Sequence, residues 1–479
     1  MQLHLQIDTA QPLVRQLIEA LREAILDRRL LPGQRLPATR LLARQLQVSR
    51  NSVLAAYEQL TAEGYLVGKV GAGSFVQSLP AAAPPVARSA GQRPRLSAYG
   101  ERVAALAPRP REQRRPRRFD LVYGAPPVAP ALHAAWRRVL AQAADDTAFD
   151  YPPVNGLDAL REALAQYLAR RRGLVTDPAD ILIVAGIQQG IDLVARVLLD
   201  PGDRVITEDP CYHGLRDAFA AHGARVQSLP VDGQGIDCSQ LPAAGARLIA
   251  VTPSHQFPTG AVLSLPRRLA LLEYAARHAS YVLEDDYDGE YRHRGHPLAA
   301  LRSLDRDGRV LYVGSFSRIV FPALRLGYLV MPPALRPALQ AARWLADRGS
   351  AAIDQRALAR LISGGQLERQ LLRNARRLDE QREVLLAALA EHLGTRIAIS
   401  GGDAGMHLCV RLLDLPASAE PALIAAAARL DVGAYGARDY YLSPPAHAQL
   451  LLGYAHLPPV DLKEAVARLA RAVIEVRGG

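Results

Sequence analysis

Two apolar runs bracketing a loop of hydroxyls and cations constrain this chain of 479 residues more than any other stretch. Val310-Leu311-Tyr312-Val313 leads into the loop, and Gly327-Tyr328-Leu329-Val330 leaves it. Short apolar runs of this kind predict two strands of a sheet. Between them Ser315 and Ser317 lie two residues apart, Arg318 follows directly, and Arg325 comes seven residues later. Two hydroxyls and two guanidinium groups at this spacing suit a loop that grips an anionic, phosphorylated ligand at the end of a sheet.

The sheet needs a domain around it. From Phe119 onward helical and apolar-strand segments alternate, which predicts an α/β domain with a mostly parallel sheet. A chain of this length exceeds one ordinary core, so two or three domains are expected. With 49% hydrophobic and 22% charged residues it has the composition of a folded globular protein, not of a disordered one. No run of about 18 apolar residues is present, and Met1-Gln2-Leu3-His4 does not begin a secretory signal, so a cytoplasmic protein with no membrane partner is expected. Cys211, Cys238 and Cys409 are odd in number and far apart, which fits neither a disulfide framework nor a zinc site; no metal is expected.

Charge is concentrated at the front. Residues 1–78 carry eight Arg, one Lys and six acids, a net +3, and residues 79–118 carry ten Arg and two Glu, a net +8. The total is +11, so the remaining 361 residues are near neutral. A basic front on a neutral body points to a polyanionic partner. Arg in place of Lys is a bias of the whole chain, whose only lysines are Lys69 and Lys463, but that bias does not place the excess charge. Residues 79–118 also hold seven Pro and end in Arg114-Arg115-Pro116-Arg117-Arg118. They show no periodicity and are expected to be a stiffened, solvated linker, able to add phosphate contacts.

Within the front segment, residues 12–27 predict a helix with Val14, Leu17, Ile18, Leu21 and Ile25 on one stripe. Thr39 can cap a second helix through Leu46, with Leu41, Leu42 and Leu46 inward, and Ser49 a third, Arg50 to Glu63, closed by Gly64. Tyr65-Leu66-Val67 and Ser74-Phe75-Val76, joined through a glycine-rich tip, predict a hairpin. Three short helices and a hairpin make a winged helix-turn-helix. The motifs Leu36-Pro37-Ala38-Thr39-Arg40, Val48-Ser49-Arg50-Asn51-Ser52-Val53 and Gly71-Ala72-Gly73-Ser74 resemble the GntR family of DNA-binding domains across residues 10–77. The resemblance implies that Ser49, Arg50, Asn51 and Ser52 open the recognition helix in the major groove of double-stranded DNA. It also implies that Arg40 meets a backbone phosphate and that the wing, with Lys69, Gly71 and Gly73, meets the minor groove.

Residues 119–479 resemble the fold-type I aminotransferases, whose cofactor is pyridoxal phosphate. Tyr151 matches a tyrosine that reaches the neighbouring subunit's cofactor phosphate, which implies a homodimer. Gly186, Ile187 and Gln188 follow the strand Ile181-Leu182-Ile183-Val184 and start a helix whose amides can hold phosphate. Tyr212 matches the ring that stacks on the pyridine, and His255 lies in the loop near the pyridine 3-oxygen. At the end of Tyr281-Val282-Leu283-Glu284-Asp285-Asp286-Tyr287-Asp288, Asp285 matches the carboxylate partner of the pyridine nitrogen, with Asp286 as the alternative, and Tyr287 the donor to the 3-oxygen. Ser315, Ser317 and Arg325 match phosphate contacts. The family's loop usually reads S-F-S-K, its lysine forming the Schiff base; here that place holds Arg318, which stays protonated and is a poor nucleophile. No catalytic residue is therefore assigned, and any pyridoxal phosphate is expected to bind non-covalently. Arg438 or Arg411 could meet an effector carboxylate.

The expected organisation is a winged helix domain over 1–78, a linker over 79–118 and an aminotransferase-like effector and dimerisation domain over 119–479. That order resembles the MocR-type transcription regulators, which implies a DNA-binding regulator sensing pyridoxal phosphate or a small amino compound. Two alternatives remain: an aminotransferase carrying a DNA-binding module, and a regulator whose large domain is only a dimerisation scaffold.

Overall fold

The computed structural model describes residues 12–78, 95–106, 117–127, 129–146, 150–293 and 298–478. The chain forms two compact units, Met1–Arg95 and Leu96–Gly479.

In the first unit α1 (Leu13–Leu26), α2 (Thr39–Leu46) and α3 (Arg50–Ala62) bury Leu17, Leu21, Leu42, Val53, Tyr57 and Leu60 in one core. β1 (Leu66–Lys69) and β2 (Gly73–Val76) pair antiparallel, with Leu66 opposite Val76 and Lys69 opposite Gly73. This is the winged helix-turn-helix that the sequence predicts. Ser49 caps α3, its Oγ accepting from the Ser52 amide at 3.0 Å, and Gly64 follows the helix at φ +79°. Two expectations for α2 are corrected. Thr39 is the first helical residue, and Ala38 holds the cap position without a side-chain bond. Leu41 is exposed, because 100° per residue turns it out when Leu42 and Ala43 turn in.

Most of the Pro/Arg-rich segment, residues 79–94 and 107–116, lies outside the described residues. Between them α4 (Ala98–Ala105) belongs to the second unit, so the stiffened, solvated linker expected over 79–118 is interrupted by a helix at this point. Ser97 Oγ accepts from the Gly100 amide at 3.0 Å, and Arg102 Nε donates to the Ala221 carbonyl at 2.8 Å. A helix of two turns is too short for periodicity to reveal.

The second unit opens with β3 (Phe119–Asp120). An eight-stranded sheet follows: β4 (Ile181–Val184), β5 (Arg204–Asp209), β6 (Arg225–Asp232), β7 (Gly235–Ile236), β8 (Leu248–Val251), β9 (Tyr281–Asp286), β10 (Val310–Ser315) and β11 (Gly327–Val330). Its spatial order is β4-β11-β10-β9-β8-β5-β6-β7. β5, β6, β8, β9 and β10 run parallel, while β11 is antiparallel to both β4 and β10. Every residue of β4, β8, β10 and β11 is buried, as the unbroken apolar runs require of a sheet covered on both faces. The 28-residue helix Gln366–Leu393 leads to a smaller antiparallel sheet. That sheet holds β12 (Ile397–Ser400), β13 (His407–Pro416), β15 (Tyr435–Gly436) and β16 (His447–Gly453), while β14 (Val432–Gly433) pairs with β3. No helix among the described residues is long and apolar enough to cross a membrane.

Candidate functional site

Parallel strands deliver their last residues to one edge of a sheet, where ligands of α/β folds bind. Asp285 and Asp286 end β9, Ser315 ends β10, and the turn Ala185-Gly186 leaves β4 for the helix Ile187–Leu198. Register sets them side by side: Gly327 of β11 pairs with Ser315 on one side and Val184 on the other.

Ala185-Gly186 is the turn that opens the helix Ile187–Leu198. Gly186 adopts φ +86°, a left-handed conformation that a side chain disfavours, and a Cβ there would lie 3.1 Å from Arg325 Nη2. Arg325 donates to the Ala185 carbonyl at 2.9 Å, which fixes its guanidinium beside the free amides of the first helical turn. Ser315 Oγ accepts from the Ser317 amide at 3.3 Å. The Gln188 side chain is engaged elsewhere, donating to the Gly214 carbonyl at 2.9 Å, so only its backbone amide faces the turn.

The two strand-end carboxylates differ. Asp286 forms a buried ion pair with Arg172 at 2.5 Å and accepts from the Tyr312 hydroxyl. Asp285 is equally buried, yet its Oδ1 has no hydrogen-bond partner among the described residues. Burial first, and the Asp286 charge second, push the Asp285 carboxyl up to about 8, against the pull of Arg318. A buried carboxylate oxygen without a partner is costly and invites a charged donor.

Arg318 is half-buried. Its Cζ stands 5.8 Å from the centre of the Tyr287 ring, and its guanidinium packs so closely on Gly124 that a Cβ there would lie 1.7 Å from Nη1. Gly124 thus joins the site without any signal in the sequence. Tyr212 sits edge-on to Phe257, with centroids 6.4 Å apart, and Phe257 is edge-on to Tyr287 at 5.7 Å.

His255 is fully buried. Its Nδ1 lies 2.9 Å from the Tyr287 hydroxyl and 3.1 Å from each carboxylate oxygen of Asp288. His407, on β13, brings its ring to 5.2 Å from that of His255. The three residues His255, Asp288 and His407 hold potential ligand atoms within 4.8 Å of one another, a grouping the sequence does not reveal. Asp288 is already matched by the imidazole, so the cluster is a hydrogen-bonded one. Buried Glu208 anchors the loop that carries His255, accepting from the Thr252 amide and hydroxyl and from Gln256.

Other expected residues lie at the surface. Tyr151 is 76% exposed, with the Arg348 guanidinium 5.2 Å from its ring centre. Arg438 is exposed, and Arg411 lines a cavity of about 450 Å³ with Tyr441, Gln449 and Gly260. Lys463 is exposed on the C-terminal helix.

In the first unit Arg40, Arg50 and Asn51 are exposed at the starts of α2 and α3, whereas the Ser52 hydroxyl is tied to Ser49 Oγ at 2.8 Å. On the wing Lys69 Nζ sits 5.1 Å from the centre of the Phe75 ring, and Gly71 and Gly73 have φ +74° and +102°. Arg35, which the sequence reading passes over, reaches across Gly73 and bridges to Phe75.

Comparison with known proteins matches both units. Residues 13–76 match the family of bacterial regulatory proteins of the gntR type, and residues 121–469 match aminotransferase class I and II. The chain is 36% identical over 475 residues to the probable rhizopine catabolism regulatory protein MocR of Rhizobium meliloti, covering 98% of this chain and 95% of that protein. It is 35% identical to the HTH-type transcriptional regulator TauR of Rhodobacter capsulatus, covering 94% of each. Among solved structures it resembles LysN, the alpha-aminoadipate aminotransferase of Thermus thermophilus complexed with N-(5'-phosphopyridoxyl)-L-leucine. That likeness has a TM-score of 0.68 at 28% identity, over 75% of this chain and 93% of that one.

Proposed function

The chain belongs to the MocR-type transcription regulators, and from that premise we propose that its aminotransferase-like domain senses pyridoxal phosphate without a covalent bond. The protein is a DNA-binding transcription regulator. The observation that carries the sensing is Asp285, a buried carboxylate with one oxygen left unbonded. A protonated pyridine nitrogen supplies the donor it lacks. The amides of Gly186, Ile187 and Gln188, with Ser315, Ser317 and Arg325, supply donors for the phosphate, and Tyr212 supplies a ring face.

When bound, pyridoxal phosphate offers an aldehyde to primary amines. Arg318 cannot take that role, because its guanidinium keeps its proton. Charge-assisted hydrogen bonds of ~1.5–3 kcal/mol each then hold the cofactor. A small amino compound is the second effector, with Arg411 or Arg438 as its carboxylate partner. Transamination requires an amine where Arg318 stands; the reading is therefore a regulator and not an enzyme, and no residue is assigned a catalytic role.

Residues 119–479 dimerise, with Tyr151 acting across the subunit boundary. Residues 1–78 read DNA through Arg50 and Asn51, with Arg40 and Lys69 on phosphates, in the cytoplasm where that DNA lies. Equilibrium dialysis of the full chain with pyridoxal phosphate tests the reading. Saturable binding that Asp285→Ala weakens at least tenfold is expected, with all ligand recoverable after borohydride. A pyridoxyl group retained on native Lys463 or Lys69 would contradict it.

A further inference from the structure

One nitrogen, His255 Nδ1, faces both the Tyr287 hydroxyl and the Asp288 carboxylate, so the place of one proton decides what each group can do. The side chains of His255 and Asp288 are 1% and 2% exposed, which keeps water from settling the matter. Against burial, the His255 imidazole and its hydrogen bond hold Asp288 below the usual carboxylate range. An ionised Asp288 only accepts, which puts the proton on Nδ1 and aims it at Asp288. Tyr287 then finds no acceptor at His255. Its oxygen shares the N–H, and its own proton is left for an acceptor other than His255, on a ring that Arg318 faces and Phe257 meets edge-on.

The imidazole has no freedom to choose another arrangement. A Cβ on Gly405 would lie 2.4 Å from His255 Cε1, and one on Gly260 would lie 2.9 Å from Nε2, so backbone clamps the ring on two sides. His407 closes a third side; burial and the neighbouring His255 push its pKa down to about 3, so it adds no charge at neutral pH.

We propose that His255 and Asp288 are positioning residues that hold the Tyr287 hydroxyl as a donor to an oxygen anion of the bound ligand. Under the cofactor reading above, on which this ligand assignment rests, that anion is the 3-oxygen of the pyridine ring. The proton placement itself stands on the protein alone. The other titratable and charged groups facing this set are Arg318, Asp285 and Glu208.

Two measurements test it. In the full chain labelled with 15N-histidine, with the His255 signals identified through His255→Gln, Nδ1 carries the proton. In Asp288→Asn, whose amide can donate to Nδ1, the proton moves to Nε2, the inversion expected when a buried Asp partner becomes Asn. A wild-type proton on Nε2, or a tautomer that ignores Asp288→Asn, overturns the proposal. With pyridoxal phosphate added, absorbance gives the pH at which the bound ring's 3-oxygen ionises. Tyr287→Phe should raise that pH by about one unit, a tenfold change in the ionisation constant. Asp288→Asn should raise it equally, and the double variant no further. If Asp288→Asn weakens binding yet leaves that pH unmoved, Asp288 only packs the site and the proposal fails. If the wild type takes up no pyridoxal phosphate, the cofactor reading fails, and the histidine spectrum still decides where the proton lies.

Discussion

Arg318 and Asp285 carry the account at the scale of single residues. Replacing a guanidinium by an amine restores a group able to lose its proton and attack an aldehyde. Arg318→Lys should therefore gain a borohydride-reducible pyridoxyl group on that residue, seen by mass spectrometry, where the wild type gains none; an unmodified variant would mean that the cavity does not present the aldehyde at residue 318. Asp285 has a pH signature. Burial and Asp286 raise its carboxyl from 3.8 to about 8. Between those values the folded chain keeps a proton that the unfolded chain has released, so stability falls as pH rises. Asp285→Asn cannot ionise and should lose less melting temperature than the wild type between pH 5 and 8, roughly the interval over which the two states differ. Parallel losses would contradict it. The sequence places both carboxylates at the end of β9 and prefers Asp285 only through the resemblance. Arg172, 114 residues before Asp286, is paired with it only through the fold, and no local signal shows that Asp286 is so engaged. Gly124 and His407 give no local signal at all, since what matters is the side chain packed against them.

At the scale of elements, α3 separates stability from recognition. Ser49 Oγ satisfies an amide that would otherwise be unpaired, so Ser49→Ala should cost about 1 kcal/mol of stability in the first domain and leave base preference unchanged. Arg50 is exposed and caps nothing; Arg50→Ala should leave the melting temperature unchanged and lose ~1–3 kcal/mol of discrimination between specific and non-specific DNA. Melting curves and competition binding check both, and a variant that behaves as the other is expected to would reverse the assignment. These elements were legible because caps and glycine ends are local chemistry. The buried strands were legible for a related reason: an unbroken apolar run has one environment that suits it. α4 has no signal in the sequence because Arg102 is held by the carbonyl of Ala221, a contact no window around residue 102 contains. The exposure of Leu41 is not readable because three apolar residues within six do not fix the phase of so short a helix.

For the whole molecule the order of domains was plain from motifs, because each motif set fills one contiguous stretch of chain. The second subunit is implied by one residue alone, through the resemblance at Tyr151. Tyr151 is three-quarters exposed. Sedimentation at micromolar concentration should show a dimer that persists when residues 1–118 are removed by proteolysis; a monomer insensitive to concentration would contradict the shared site. A dimer would carry two readers to a paired DNA site, and a ligand alters regulation only through its differential affinity for the two states. The most direct measurement is the affinity of the full-length protein for its own upstream DNA, titrated with pyridoxal phosphate in the wild type and in Asp285→Ala. Wild-type DNA affinity should change by about five- to 150-fold, reversed by dialysis. Asp285→Ala should bind the same DNA and ignore the ligand. Equal wild-type affinities with and without saturating pyridoxal phosphate, or a response that survives in Asp285→Ala, would contradict it.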